Sequence, residues 1–342
     1  MKDQVSISVI IAARNEEMNI RNCLHSIIGQ SYPKGLFEVI VVDDFSTDDT
    51  STIVNEFEQN QVSLILLKDH VGETRINSYK KKAIEIAIEK ASGELIVTTD
   101  ADCIAPKRWL ETIANFYNLE KPAIIAAPVS YRMEKSFLSI FQSLDFMTLQ
   151  GITGASIFKN FHAMCNGANL VYQKNAFYEV GGFEGIDDIA SGDDMLLMNK
   201  ISRLYPGRVK YLPSPLAIVE TKPVHTVREF LQQRIRWASK TSNYKDKKII
   251  AVLVLVYLFN CFILIIGIIS LFHPSMSFSL ILILLIKIIG ELFFLYPVAS
   301  FYKRKNLLWW FPLAQPFHIL YIVLAGALGS FGSYEWKGRN VK

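Results

Sequence analysis

Residues 249–272 contain no Asp, Glu, Lys or Arg. At a rise of 1.5 Å per residue, an apolar helix of that length crosses the hydrocarbon core of a bilayer. A buried core helix is the competing reading, but cores seldom need so long an uncharged run. Two more apolar stretches follow. The second, about 277–301, contains Lys287 and Glu291, four positions apart and so able to pair on one helix face. The third, about 307–331, carries Pro312, Gln315, Pro316 and His318, and reads either as a full span or as a kinked, re-entrant segment. Hydrophobic residues make up 51% of the 342-residue chain, and the excess lies beyond residue 249. The expected organisation is therefore a soluble domain, 1–240, followed by a membrane region, 241–342, with two to three transmembrane or re-entrant helices.

Lys245, Lys247 and Lys248 precede the first apolar stretch, and Lys303-Arg304-Lys305 follow the second. The positive-inside rule places both clusters in the cytoplasm. The basic tail, Trp336-Lys337-Gly338-Arg339, falls outside if the third stretch spans and inside if it re-enters. A net charge of +4 without an Arg/Lys run interleaved with aromatics gives no argument for nucleic acid. Cys23, Cys103, Cys165 and Cys261 form no Cys-x-x-Cys pair, so neither a zinc site nor a disulfide framework is expected. The apolar run 5–13 is interrupted by Ser6 and Ser8 and meets Arg14-Asn15-Glu16-Glu17 at once, which suits a first β-strand better than a signal peptide.

In the soluble part, strand-like and helix-like segments alternate. Strands are expected at 5–13, 38–42, 62–67 and 94–98, with helices at 19–30, 51–60 and 76–91 between them. This alternation predicts an α/β fold with a mostly parallel sheet flanked by helices. No Gly-x-Gly-x-x-Gly or Walker loop follows any strand, so dinucleotide and P-loop folds lose support. Farther on, the pattern predicts helices at 109–118, 137–158 and 226–239, and strands at 123–129 and 208–212. The apolar segment 137–158 reads as a core helix or as one lying on a membrane face or lining an acceptor groove.

Acidic residues stand where such a sheet binds ligands, beyond the carboxyl ends of its strands. One strand ends in Asp43-Asp44 and another in Asp100-Ala101-Asp102. Asp-x-Asp offers hard oxygen ligands to Mg²⁺ or Mn²⁺, which one or two carboxylates and substrate phosphates together hold. Asp43-Asp44 could accept hydrogen bonds from a base or ribose, or could serve only the following turn and helix cap. A third pair, Asp193-Asp194, precedes an apolar helix; capping accounts for Asp193 and leaves Asp194 for chemistry. Gln233 and Trp237 share a helix face with Arg236 close by, which suits diphosphate and sugar contacts, or else a helix snorkelling at the bilayer surface.

The order of these motifs, Ser8-Val9-Ile10-Ile11 with Arg14-Asn15-Glu16, Val41-Val42-Asp43-Asp44, Ser92-Gly93-Glu94 leading to Asp100 and Asp102, Gly192-Asp193-Asp194, and Gln233-x-x-Arg236-Trp237, resembles family-2 glycosyltransferases of the GT-A fold over about residues 5–240. The apolar tail is similar to that of membrane-bound members. The resemblance implies donor contacts at Asn15, Glu16, Asp43, Asp44, Asp100, Gln233, Arg236 and Trp237. It further implies a divalent cation, Mg²⁺ or Mn²⁺, on Asp100 and Asp102, and catalysis by Asp194 with Asp193 beside it. Two departures stand out: Phe45 replaces the usual Gly after the first acidic pair, and the usual Glu-Asp at the base position is Asp193-Asp194.

The expected activity is inverting transfer of a sugar from a nucleotide-sugar, a UDP-sugar above all, to a lipid or glycan acceptor hydroxyl. A carboxylate takes the proton, and cationic groups neutralise the leaving diphosphate. The expected location is the cell membrane, multi-pass, with the catalytic domain cytoplasmic. A processive polysaccharide synthase is the alternative, and a noncatalytic nucleotide-sugar-binding scaffold a third reading.

Overall fold

A computed structural model of the chain describes residues 4–71, 77–161, 164–189, 192–239, 247–331, 334–336 and 339–341. Lys245, Lys337 and Gly338, used in the sequence reading, lie outside these residues. The chain packs as two compact units. The first comprises residues 1–132 and 152–222, the second 133–151 and 223–342.

The first unit is built on a seven-stranded sheet. Its strands are β1 (Ile7–Ala13), β2 (Phe37–Asp43), β3 (Val62–Leu66), β4 (Leu95–Asp100), β5 (Ile124–Ala126), β7 (Leu170–Gln173) and β8 (Val209–Tyr211). A separate parallel pair is formed by β6 (Val129–Tyr131) and β9 (Val219–Thr221). The spatial order of the large sheet is β3-β2-β1-β4-β7-β5-β8. The central strands are mainly apolar because helices cover both of their faces; Val9, Ile11, Val39, Val41, Ile96 and Val97 are all fully buried. Helix α1 (Ile20–Ile28) turns Ile20, Cys23, Leu24 and Ile27 inward at helical spacing. The other helices of this unit are α2 (Thr50–Asn55), α3 (Tyr79–Lys90), α4 (Trp109–Glu120), α6 (Lys174–Glu179) and α7 (Met195–Leu204).

The parallel register fixes the edge that carries the acidic residues. Ala13 pairs with Asp43 and Ala12 with Asp100, so β2 and β4 bring both carboxylates to the carboxyl side of β1. At the opposite edge, Glu38 accepts hydrogen bonds from Ser8 Oγ (2.6 Å), Ser92 N (2.6 Å) and Ser92 Oγ (2.7 Å). There Gly93 lies so close to β1 that a Cβ would stand 2.5 Å from Ser8 N.

Three features depart from the sequence expectation. Strand β7 runs antiparallel to both β4 and β5, since apolar alternation carries no information about strand direction. The strand expected at 123–129 is divided into β5 and β6 around Ala127 and Pro128, the latter unable to donate to a ladder. Strand β9 is too short and mixed to register as a periodic signal.

In the second unit, α8 (Val227–Ser239) packs on α11 (Phe311–Phe331), which in turn packs on α9 (Lys247–Phe272) and α10 (Ser277–Phe301). Residues 137–151 of helix α5 (Phe137–Phe158) belong here, and its last residues to the first unit. Lys247–Phe272, Pro274–Phe301 and Lys305–Gly329 are each long and apolar enough to cross a membrane. Their outward surfaces carry Leu255, Phe272, Phe293 and Trp309, all more than two-thirds exposed. Lys287 Nζ contacts Glu291 Oε1 (2.6 Å) and Gln315 Oε1 (2.6 Å), and Gln315 Nε2 returns to Glu291 Oε2 (2.7 Å). The expected pairing of Lys287 with Glu291 is thus extended into a closed triad that satisfies the buried ammonium. Pro316 lies within α11 without dividing it. Packing groups α8 with the apolar helices, whereas hydropathy alone sets a division at residue 240.

Candidate active site

At the end of β2, Asp43 is buried; its Oδ2 accepts from Ser46 N at 3.2 Å, while its Oδ1 has no hydrogen-bond partner among the described residues. An unpaired buried carboxylate oxygen is costly unless a ligand donor meets it. Asp44, also buried, is held by its backbone, with N donating to Ala13 O (2.7 Å) and O accepting from Arg14 Nη1 (2.8 Å). Phe45 follows at φ +54°, the left-handed conformation that the usual glycine would adopt without strain. Asn15, at φ +51°, accepts from Thr47 N through Oδ1 (2.8 Å) and donates its own N to Ser46 Oγ (3.0 Å). Glu16 N donates to Thr50 Oγ1 (2.8 Å), and Glu16 Oε2 accepts from Asn19 Nδ2 (2.7 Å). Asn15 and Glu16 therefore brace the loop that shapes the Asp43 end of the site.

At the end of β4 the chemistry centres on a residue absent from the sequence expectation. Lys80 Nζ lies 2.8 Å from Asp100 Oδ1 and 3.4 Å from Asp193 Oδ2. Burial works against the Lys80 charge, but the carboxylates of Asp100 and Asp193 outweigh it and push its pKa up, so it stays an ammonium. The signal available in the sequence was the run Lys80-Lys81-Lys82 at the start of α3. A lysine-rich helix reads first as a solvated face, and nothing in its spacing tells which lysine turns inward. Lys81 is itself buried, and its Nζ donates to Ile186 O (2.6 Å) and Ile189 O (2.5 Å), in the segment leading to Asp193.

Asp102 is differently placed. Its Oδ2 accepts from Thr221 Oγ1 (2.8 Å), and Arg132 Nη2 donates to its main-chain oxygen (3.0 Å). Burial first, and the nearby charge of Asp100 second, push the Asp102 carboxyl above its ordinary range. A second cation at this carboxylate would relieve both effects. The described residues hold no group of three or more His, Cys, Asp or Glu suited to a metal. An ion on Asp100 and Asp102 would therefore need phosphate oxygens of a ligand to complete its shell. Cys23 and Cys103 are buried, and burial followed by the Asp102 charge raises both thiols, so neither is poised as a thiolate.

Asp194 completes the first unit's cluster. It takes the N-cap position of α7, its Oδ1 accepting from Met195 N (2.7 Å), and its Oδ2 accepts from Gly167 N (3.1 Å). The sequence reading gave capping to Asp193; the structure gives it to Asp194 and turns Asp193 to Lys80. The left-handed Gly192 (φ +80°) precedes this pair. Gly167 approaches this pair closely: a Cβ there would stand 3.2 Å from Asp193 Oδ2. The loop carrying it is pinned by Asn169, whose Nδ2 donates to Pro128 O and Ala217 O and whose Oδ1 accepts from Trp109 Nε1. Thus Asp100 and Asp193 meet at Lys80, with Asp194 beside Asp193 and Asp102 two positions along the chain from Asp100.

Gln233, Arg236 and Trp237 lie on α8 in the second unit. Gln233 Oε1 accepts from Arg234 Nη1 (2.6 Å), and Trp237 carries the Arg234 guanidinium over its ring at 4.1 Å.

A mostly parallel α/β sheet with paired carboxylates at the carboxyl ends of its strands is the architecture of the GT-A glycosyltransferases. A sequence model of glycosyl transferase family 2 matches residues 8–181, and one of glycosyl transferase family group 2 matches residues 95–327. The chain belongs to glycosyltransferase family 2. It is 28% identical over 243 residues to a probable glycosyltransferase of Bacillus subtilis, YdaM, covering 70% of this chain and 56% of that protein. It is 25% identical over 239 residues to a poly-β-1,6-N-acetyl-D-glucosamine synthase of Staphylococcus epidermidis, covering 68% of this chain and 53% of that protein. The chain thus spans about half the length of these curated relatives. A Pyrobaculum calidifontis mannosyltransferase solved with GDP-mannose and Mn²⁺ shares the fold, with a TM-score of 0.54 at 20% identity over 93% of this chain and 87% of that one.

Proposed function

We propose that the chain is a membrane-anchored inverting glycosyltransferase, of the hexosyltransferase type, that moves a sugar from a nucleotide-sugar to a lipid or membrane-held acceptor hydroxyl. The observation that carries this reading is the meeting of Asp100 and Asp193 at Lys80, with Asp194 adjacent, beside a β2 edge where Asp43 Oδ1 is buried without a donor among the described residues. Asp43 and Asp44 would receive the base or ribose of a UDP-sugar. Asp100 and Asp102 would hold Mg²⁺ or Mn²⁺ together with phosphate oxygens, and the bound ion would supply charge neutralisation for the diphosphate. Gln233, Arg236 and Trp237 would serve the diphosphate and the acceptor, as the family motif implies.

Asp194 takes the proton of the acceptor hydroxyl. The acceptor oxygen bonds to the anomeric carbon as the bond from that carbon to the diphosphate breaks, and the nucleoside diphosphate leaves with the bonding pair. One displacement inverts the configuration. The backbone donors of Gly167 and Met195 hold both oxygens of Asp194 in a fixed orientation while lone pairs remain for the hydroxyl. The three long apolar helices support a location in the cell membrane and a membrane-held acceptor; the flanking lysines support a cytoplasmic catalytic unit.

Purified protein incubated with a panel of nucleotide-sugars and total membrane lipid tests the reading. A glycosylated lipid found by mass spectrometry supports it, and hydrolysis or binding of the donor with no glycosylated product counts against it. The similarity to a polysaccharide synthase favours a second reading, processive synthesis, which the same incubation separates by product length.

A further inference from the structure

We infer that Arg234 and Asp145 are positioning residues for the Gln233–Trp237 motif and that the third apolar helix, through Tyr321, is part of this device. The inference rests on the proposal that this motif serves the substrate. Arg234 sits inside the motif but is turned away from solvent. Its side chain is 3% exposed and that of Asp145, on α5, is 4% exposed. Arg234 Nε donates to Asp145 Oδ2 at 2.9 Å, and Nη2 lies 2.7 Å from the same oxygen. The other carboxylate oxygen, Oδ1, accepts from the Tyr321 hydroxyl of α11, with His318 Nε2 4.0 Å away. One carboxylate therefore joins α5, α8 and α11.

The guanidinium then passes this constraint to both ends of the motif. Nη1 donates to Gln233 Oε1 at 2.6 Å, which sets the orientation of that amide. The guanidinium carbon lies 4.1 Å from the centre of the Trp237 ring and 4.5 Å from that of Phe230. Rings close the other side of the cluster: Phe141, Phe230 and Tyr321 meet edge to face in all three pairings, at 5.2 to 5.8 Å between centroids. An Arg planar fork is suited to hold a carboxylate, an amide and a ring face at once, which a Lys ammonium cannot do. A buried ion pair adds little net stability over an apolar replacement of both partners, so its presence points to orientation more than to stability.

That difference supplies the test. Full-length protein in detergent is compared as wild type, Asp145→Asn, Arg234→Met, the double variant and Tyr321→Phe. Each single change at the pair leaves an uncompensated buried group and should lower the thermal midpoint and the yield, while the double variant should recover both. If Arg234 and Asp145 position the motif, the double variant recovers its midpoint but keeps a transfer rate at least about tenfold low, with the donor KM little changed. Tyr321→Phe leaves Asp145 Oδ1 without that donor and should lower the midpoint by less than either single change at the pair, while lowering the rate by about three- to tenfold. A second readout does not depend on turnover. The emission of Trp237, taken as the difference between each protein and its Trp237→Phe counterpart, should shift in the double variant and in Tyr321→Phe. Full transfer activity in the double variant, or an unchanged Trp237 emission in it, overturns the inference. Absence of any turnover in the wild type overturns the transferase reading instead, and the Trp237 emission still decides the positioning role.

Discussion

Asp194→Asn separates base catalysis from binding most cleanly. Both carboxylate oxygens of Asp194 accept backbone hydrogens, from Met195 N at 2.7 Å and Gly167 N at 3.1 Å. An amide has one acceptor oxygen, so one of these N–H groups must face an NH₂. The lost charge-assisted bond costs about 1.5–3 kcal/mol of local stability. The catalytic loss should be larger, because a positioned general base contributes on the order of 10²–10⁴ in rate, or about 3–5 kcal/mol. Asp194 is not expected to touch the nucleotide, so donor affinity should stay within about threefold of wild type. Initial rates of nucleoside diphosphate release with acceptor present measure the first quantity, and calorimetry with the nucleotide measures the second. Asp193→Asn is the internal control. Asp193 is already paired with Lys80 at 3.4 Å, so its loss should disturb Lys80 and Asp100 and reach donor binding as well as rate. Retention of more than about a tenth of wild-type turnover by Asp194→Asn, or an equal loss of turnover and nucleotide affinity, refutes the assignment.

Asp102→Ala should weaken nucleotide binding about tenfold or more in Mg²⁺ or Mn²⁺ and change it little in chelator, as titration calorimetry under both conditions would reveal. Lys81→Met removes an ammonium that holds the carbonyls of Ile186 and Ile189; hydrogen exchange should rise across 186–189 while the thermal midpoint moves by only a few degrees, because the buried charge is lost along with its bonds. Glu38 carries the pH dependence at the opposite sheet edge. Burial alone would raise its carboxyl, but the hydrogen bonds from Ser8, Ser92 and Gly93 outweigh it and hold it below the ordinary carboxylate range. With the folded value below the unfolded one, its stabilisation is present above about pH 4.3 and is lost as pH falls through the folded value. Glu38→Gln should therefore lower the midpoint at neutral pH and flatten its decline on acidification, measured by thermal scans from neutral to acid pH.

Much of this protein was legible in its sequence because the signals are local. An uncharged stretch must find an apolar environment wherever the rest of the chain goes, and alternating apolar segments with acidic ends pointed to a mostly parallel sheet with carboxylates at one edge. The expected helix at 137–158 is present with those bounds, and Lys287 pairs with Glu291 as spacing four predicts. Tertiary structure decided what spacing cannot carry. Strand direction at β7 depends on where the chain re-enters the sheet, not on its side-chain pattern. Of three consecutive lysines, the fold turns Lys80 to Asp100 and Asp193 and Lys81 to two backbone carbonyls, while Lys82 pairs with Glu85 along the helix. It also placed Asp194, not Asp193, at the helix cap and made Asp193 a partner of Lys80. Arg234 and Asp145 are 89 positions apart, and their pairing follows from the packing of α5, α8 and α11. A buried charge takes its function from the groups that surround it in space, and only the folded chain brings those groups together.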